Sequence, residues 1–284
     1  MVSAIMMALQ MNAIKTVTIR EALDARRSRW FWVFTLIFVI LAVTVSFLGM
    51  AGLGEIGVAG FARTTASLLN LVVFIVPMMG LLLGSLSMSL EREHGSLPLL
   101  LAQPVDPGEI VLGKWLGLTL STSAAILIAF GFSGAVVTRF AGWHDITMYL
   151  FMVLVSILLA MVHLGIGMAL GTFLQNSAMA IGSAIFLWLA EVMLSDVTLI
   201  MVTLGLKLHP VRLFWILIAN PVQAYRILVL NRLHGDLEYF GPVGRYAIHQ
   251  FGHHLDILLI GILMGWLVVS LVVAVVHLRR SGAK

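Results

Sequence analysis

Cysteine is absent from the 284 residues, which excludes disulfides, thiolate catalysis and zinc or iron–sulfur sites built on thiolates. Charge is nearly as scarce. Asp, Glu, Lys and Arg make up 11% of the chain, against about 25% in an ordinary soluble domain, while 61% is hydrophobic and the mean hydropathy is +1.06. A water-soluble globule is excluded, and the composition predicts an all-α, polytopic membrane protein. The net charge of +4 does not point to nucleic acid, because basic residues sit at the ends of apolar runs and never more than two in a row. That is a pattern of membrane orientation.

Six apolar runs have the length of about 20 residues that a bilayer core of about 30 Å requires. They cover 31–52, 66–90, 112–137, 146–174, 178–206 and 257–278. Ahead of the first, residues 1–30 form a separate unit, in which Ile14, Val17, Ala22 and Leu23 alternate with Lys15, Arg20, Arg26, Arg27 and Arg29. An amphipathic helix at the headgroup layer is expected, anchored by Trp30 and Trp32. No compact apolar core with a small-residue cleavage site precedes Lys15, so the first span is expected to act as the insertion signal. Residues 31–284 then form one six-helix membrane domain.

Within that domain, Pro77 removes a backbone donor near the middle of the second span and predicts a kink. Gly165, Gly167, Ala169 and Gly171 give the fourth span a small-residue face that another helix can approach closely. Segment 207–255 is apolar but broken by Pro210, Pro221 and Pro242, and reads as two short interfacial or re-entrant half-helices.

Orientation follows from the cations. Ten of the 17 Lys and Arg lie in the N-terminal segment, between residues 91 and 114, or in the C-terminal tail. The short loops on the other side carry only Arg63 and Arg139. Both termini and segment 91–111 are therefore expected in the cytoplasm, and 207–255 outside.

Several stretches carry partial signatures of site chemistry. GEIVLGKW, residues 108–115, matches GxxxxGK, but a P-loop needs Ser or Thr after its Lys and a strand before its first glycine; here Trp115 follows. Gly108 and Gly113 read instead as helix-start and packing residues. His249, His253 and His254, with Asp256 beside them, form a weak metal candidate or an interfacial polar cluster. The 16 methionines suit Cu(I) in principle, but most lie inside spans as packing residues. His163, Glu191 and Asp196 are ionisable residues inside spans, where facing lipid is costly. His163 and Glu191 are expected to face each other, either as a proton relay or as an interhelical hydrogen bond, with the bond favoured. No GxSxG or other triad signature is present, so an integral-membrane hydrolase is only a remote alternative.

The segment EREHGSLPLLLAQPVDPGEIVLGKW, 91–115, is a charged interruption between two apolar spans. Glu91, Glu93, Gly95, Ser96, Leu97, Leu100, Leu101, Pro104, Gly113 and Lys114 resemble the EExGTLxxLLxxP…GK pattern of ABC type-2 permeases. Pro98, Arg92 and His94 depart from it, as does Asp106–Pro107–Gly108. The R-x-R-W of 27–30, and Asn220–Pro221 followed by Tyr225–Arg226, are similar to the NosY branch of that family, which serves nitrous-oxide reductase maturation.

The resemblance implies a non-catalytic permease subunit of the bacterial inner membrane, paired as a homodimer. It binds no cofactor; ATP and magnesium belong to a separate ATPase subunit. Segment 91–110 would be a coupling helix in an ATPase groove, with Leu97, Leu100 and Leu101 as anchors and Glu91, Arg92 and Glu93 on the rim. The work done would be export of a small molecule, such as a lipid or drug, or motion of a periplasmic partner docked on 207–255.

Overall fold

In lipid a backbone must satisfy its own hydrogen bonds, and every long apolar run of this chain does so as a helix. The computed structural model describes residues 2–51, 58–95, 105–141, 146–203, 210–234 and 241–282. Among them the α-helices are α1 (Val2–Arg27), α2 (Arg29–Ala51), α3 (Val58–Glu93), α4 (Pro107–Ala141), α5 (Ile146–Phe173), α6 (Ser177–Thr203), α7 (Pro210–Ala219), α8 (Pro221–His234), α9 (Gly241–Phe251) and α10 (Leu255–Gly282). A single 3-10 turn, Gly252–His254, joins α9 to α10. No strand occurs among the described residues. Six of the helices, α2 to α6 and α10, are long and apolar enough to cross a membrane. The protein is thus a polytopic all-α membrane protein.

The α3–α5 pair forms the centre. Gly80 and Gly84 of α3 lie against the backbone of α5 at His163, Leu164 and Gly167. Gly167 and Gly171 of α5 in turn lie against the α3 backbone at Leu81 and Ser85. Glycines on both surfaces bring the two backbones together, and dispersion and weak C–H···O contacts replace a hydrophobic driving force that lipid does not supply. Gly165 meets Ser270 of α10 instead, so the small-residue face of α5 serves two neighbours.

Pro77 sits inside the continuous α3. In the turn before it, the Phe74 carbonyl accepts a hydrogen bond from the indole Nε1 of Trp188 on α6 at 2.9 Å, and the two rings meet edge to face. A neighbouring helix thus furnishes a polar partner beside the proline.

In segment 207–255 the two expected half-helices are α7 and α8, a bent pair with the shape of a broken span or re-entrant loop, and α9 is an additional helix. Pro210 and Pro221 each open one, since a missing N–H costs nothing in the first turn. Asn220 is the N-cap of α8: its Oδ1 accepts from the Val222 N–H at 2.8 Å, and Pro221 takes the N1 position. The chain turns by 109° between α7 and α8. Of the two alternatives, interfacial or re-entrant, the burial of α8 favours the re-entrant one: Val222, Gln223, Ala224, Tyr225 and Leu228 are fully buried. Residues 207–209 and 235–240 lie outside the described residues.

Candidate drive-coupling site

Where the charged segment leaves α3, Gly95 adopts φ +66°, the left-handed conformation that glycine enters without Cβ strain. The His94 N–H bonds the Leu90 carbonyl and the Gly95 N–H bonds the Arg92 carbonyl, so Gly95 is the stop that ends α3. Ser96, Leu97, Leu100, Leu101 and Pro104 lie outside the described residues. The segment is resumed at Val105, and Pro107 opens α4 with Asp106 as its cap: the Asp106 Oδ2 accepts from the Gly108 N–H at 2.8 Å, and Glu109 reaches back to the Asp106 N–H at 3.2 Å.

Both flanks are tied to other helices. Lys114, about two turns into α4, is 3% exposed, and its ammonium lies 2.6 Å from Glu21 of α1 and 3.0 Å from Glu91 of α3. The Ser87 hydroxyl donates to Glu21 at 2.5 Å, and Lys114 also donates to the Ser87 carbonyl at 3.2 Å. A buried ammonium must be paired and hydrogen-bonded, and two carboxylates and a carbonyl do that here. Glu91 was expected on the rim of a docking surface; its carboxylate is turned into the bundle and pairs with Lys114. Glu93 is exposed and accepts from the Ser177 N–H of α6 at 2.7 Å, placing an anion at that helix N-terminus. On the other flank Asp106 binds Arg279 of α10 through both oxygens, at 2.8 and 3.1 Å. Arg279 first, and then the Gly108 N–H, hold the Asp106 carboxyl below the ordinary carboxylate range.

Helix α1 is drawn to this cluster by shape as well as charge. Gly113 and Gly117, four residues apart on α4, leave room for Ile14, Val17, Thr18 and Glu21 to lie on its backbone. The glycine of the GK pair is therefore a packing residue, as its sequence context suggested, and the lysine beside it is an ion-pair centre. That second role escaped the sequence reading, because its partners lie 93 and 23 residues away. The one available signal was a lone Lys close to the start of an apolar span.

The remaining polar candidates fall elsewhere. His163 of α5 and Glu191 of α6 do meet, with Nε2 3.1 Å from Oε2, and the imidazole is fully buried. Asp196 lies 3.7 Å from Arg226 of α8. Tyr225 shares a 3.0 Å hydrogen bond with Ser156 of α5, and Asn220 donates to the Glu191 carbonyl at 3.0 Å. The Asn-Pro…Tyr-Arg motif is thus a set of contacts, buried at Tyr225 and part-exposed at Asn220 and Arg226, fastening α8 to α5 and α6. Asp256, expected beside the histidines as a metal ligand, bonds Asn231 and Arg232 of α8 instead. His249 and His254 are exposed, and the His253 side chain lies outside the described residues. Among the described residues no three His, Asp or Glu converge as a metal site.

These observations define a class: a multi-pass helical membrane subunit in which one interhelical segment is clamped at both flanks to helices at the two ends of the chain. The profile of the ABC-2 family transporter proteins matches residues 15–283, and the chain belongs to that family, whose members are non-catalytic permease subunits of ABC transporters. It is 30% identical over 279 residues, 95% of this chain and 99% of the relative, to the probable ABC transporter permease protein NosY of Stutzerimonas stutzeri. It is 32% identical over 228 residues, 78% of this chain and 82% of the relative, to the protein of the same name from Pseudomonas aeruginosa.

Proposed function

We propose that this permease couples ATP hydrolysis by a separate ABC ATPase subunit to motion of its membrane helices, with segment 91–111 as the docking element. The observation that carries the reading is Lys114, buried between Glu21 and Glu91. It joins α1, the end of α3 and the start of α4 into one body at the root of the segment. A push on a rigid element continuous with two helices is passed on as rigid-body displacement. Glu93 and Asp106 extend the body to α6 and α10. The interhelical clamps bring the end of α1, the end of α3, the starts of α4 and α6 and the end of α10 to one side. That side also carries most of the short-loop cations, which supports a cytoplasmic location for it and for both termini in a bacterial inner membrane.

Two relatives are NosY permeases, and on the resemblance to that branch, which serves nitrous-oxide reductase maturation, we propose a homodimer that acts on a periplasmic partner. The test is co-purification with the ATPase in mild detergent. Deletion of residues 95–101, or Glu93→Lys, is expected to abolish permease-stimulated ATPase activity. Unchanged co-purification and unchanged stimulation would sink the assignment.

A further inference from the structure

The His163–Glu191 contact specifies a proton count. The Nδ1 of His163 lies 2.8 Å from the Leu159 carbonyl, one turn back on α5. A carbonyl oxygen only accepts, so Nδ1 carries a hydrogen. A neutral imidazole in that tautomer presents a bare lone pair at Nε2, and the group it meets at 3.1 Å is a carboxylate oxygen, which also has only lone pairs when ionised. Two lone pairs do not approach to hydrogen-bond distance without a proton between them, and here the imidazole is fully buried and the Glu191 side chain only 14% exposed. One proton must lie between them, as imidazolium with carboxylate or as imidazole with carboxylic acid; either form is neutral overall.

We propose that His163 and Glu191 form a single-proton binding site inside the membrane, and that the bound proton latches α6 onto α5. Removing it leaves a net negative charge and an unpaired Nε2 in a buried setting, and the cross-link between the helices is lost. The latch reaches further than its two side chains. The Glu191 carbonyl accepts from Asn220, the cap at the 109° turn between α7 and α8, so a displacement of α6 is felt at that turn.

The charged groups of the neighbouring helices are engaged or placed elsewhere. Helix α3, packed against both α5 and α6, carries no charge between Arg63 and Glu91. Helix α10 carries no Asp, Glu, Lys or Arg between Asp256 and Arg279, and its His277 stacks on Phe173. Helix α4 is uncharged between Lys114 and Arg139. From α8, Arg226 lies by Asp196 and Tyr225 by Ser156; from α7 and α9, Arg212, Arg245 and His249 are exposed. Within α5, Tyr149 donates to the Phe130 carbonyl.

The test uses the whole chain in lipid nanodiscs, without an ATPase, so that its outcome is independent of the coupling assignment. Since the protein has no cysteine, Leu154→Cys on α5 and Met193→Cys on α6, both exposed positions, take spin labels uniquely. In otherwise native protein the α5–α6 label distance is expected to shift once, with a one-proton profile, as the pH is raised. Glu191→Gln supplies an amide N–H to Nε2 without needing the proton, and is expected to hold the low-pH distance throughout. Glu191→Leu is expected to hold the high-pH distance. A native pair that shows no shift, or a shift that persists in Glu191→Gln, overturns the proposal.

Discussion

The ammonium of Lys114 lies 2.6 Å from the carboxylate of Glu21, across 93 residues of chain, at the point where α1 crosses α4. Breaking a buried pair from one side strands the other charge, which costs about 3–5 kcal/mol. Lys114→Met strands both Glu21 and Glu91, and is expected to lower the unfolding temperature in detergent markedly. The triple variant Glu21→Gln, Glu91→Gln, Lys114→Met, neutral throughout, is expected to recover much of that loss. A thermal melt followed by size-exclusion chromatography checks both.

Close approach of α3 and α5 makes a second expectation. A Cβ on Gly84 or Gly171 would collide with backbone of the facing helix, whereas one on Gly131 meets open space. Gly84→Ala and Gly171→Ala are each expected to cost at least about 1–3 kcal/mol, the usual range for overpacking. Gly131→Ala should be neutral or slightly stabilising, through helix propensity. Fractions monodisperse after heating will rank the three.

Asn220 does two jobs, capping α8 and holding the Glu191 carbonyl. Asn220→Ala is expected to cost about 1 kcal/mol for the cap and more for the buried carbonyl it leaves without that donor. Asn220→Asp keeps the cap but lacks the Nδ2 donor, so the difference between the two variants in a denaturant or thermal series separates the two roles.

The Asp106–Arg279 pair is exposed, and its pH dependence has a definite sign. Its folded carboxyl titrates below the unfolded value, so its contribution is present above the ordinary Asp value of about 3.9 and is lost as pH falls through the lowered folded value. At neutral pH, Asp106→Asn is expected to increase the mobility of a spin label at position 282. Native and variant spectra should converge only below about pH 4, and high salt should narrow their difference at pH 7.

Much of this architecture is readable in one dimension. Each span needs about 20 apolar residues, and the six runs appear as six helices with ends displaced by a few residues. Pro221 is legible as a break because its effect on a helix is local, whereas Asn220 as the cap of α8 and Gly95 as the end of α3 come from the structure. Even the pairing of His163 with Glu191 was legible, since a polar side chain deep in a span has few places to go. Illegible were the inward turn of Glu91, the burial of α8 and the loss of Asp256 to Arg232. A short apolar helix next to prolines looks the same on a membrane surface as in a core, and a charged residue at a span end looks the same facing water as facing a partner.

What the sequence determined by itself is therefore the membrane class and the number of spans, which follow from hydropathy and backbone chemistry over a few neighbouring residues, together with the resemblance of 91–114 to a family pattern. Only the tertiary structure decided that Lys114 would be the common ligand of two carboxylates and that both flanks of the segment would be bound to helices far away in the chain. Ion pairs in a low-dielectric interior depend on distance and direction in space, to which separations of 23, 93 and 173 residues give no guide.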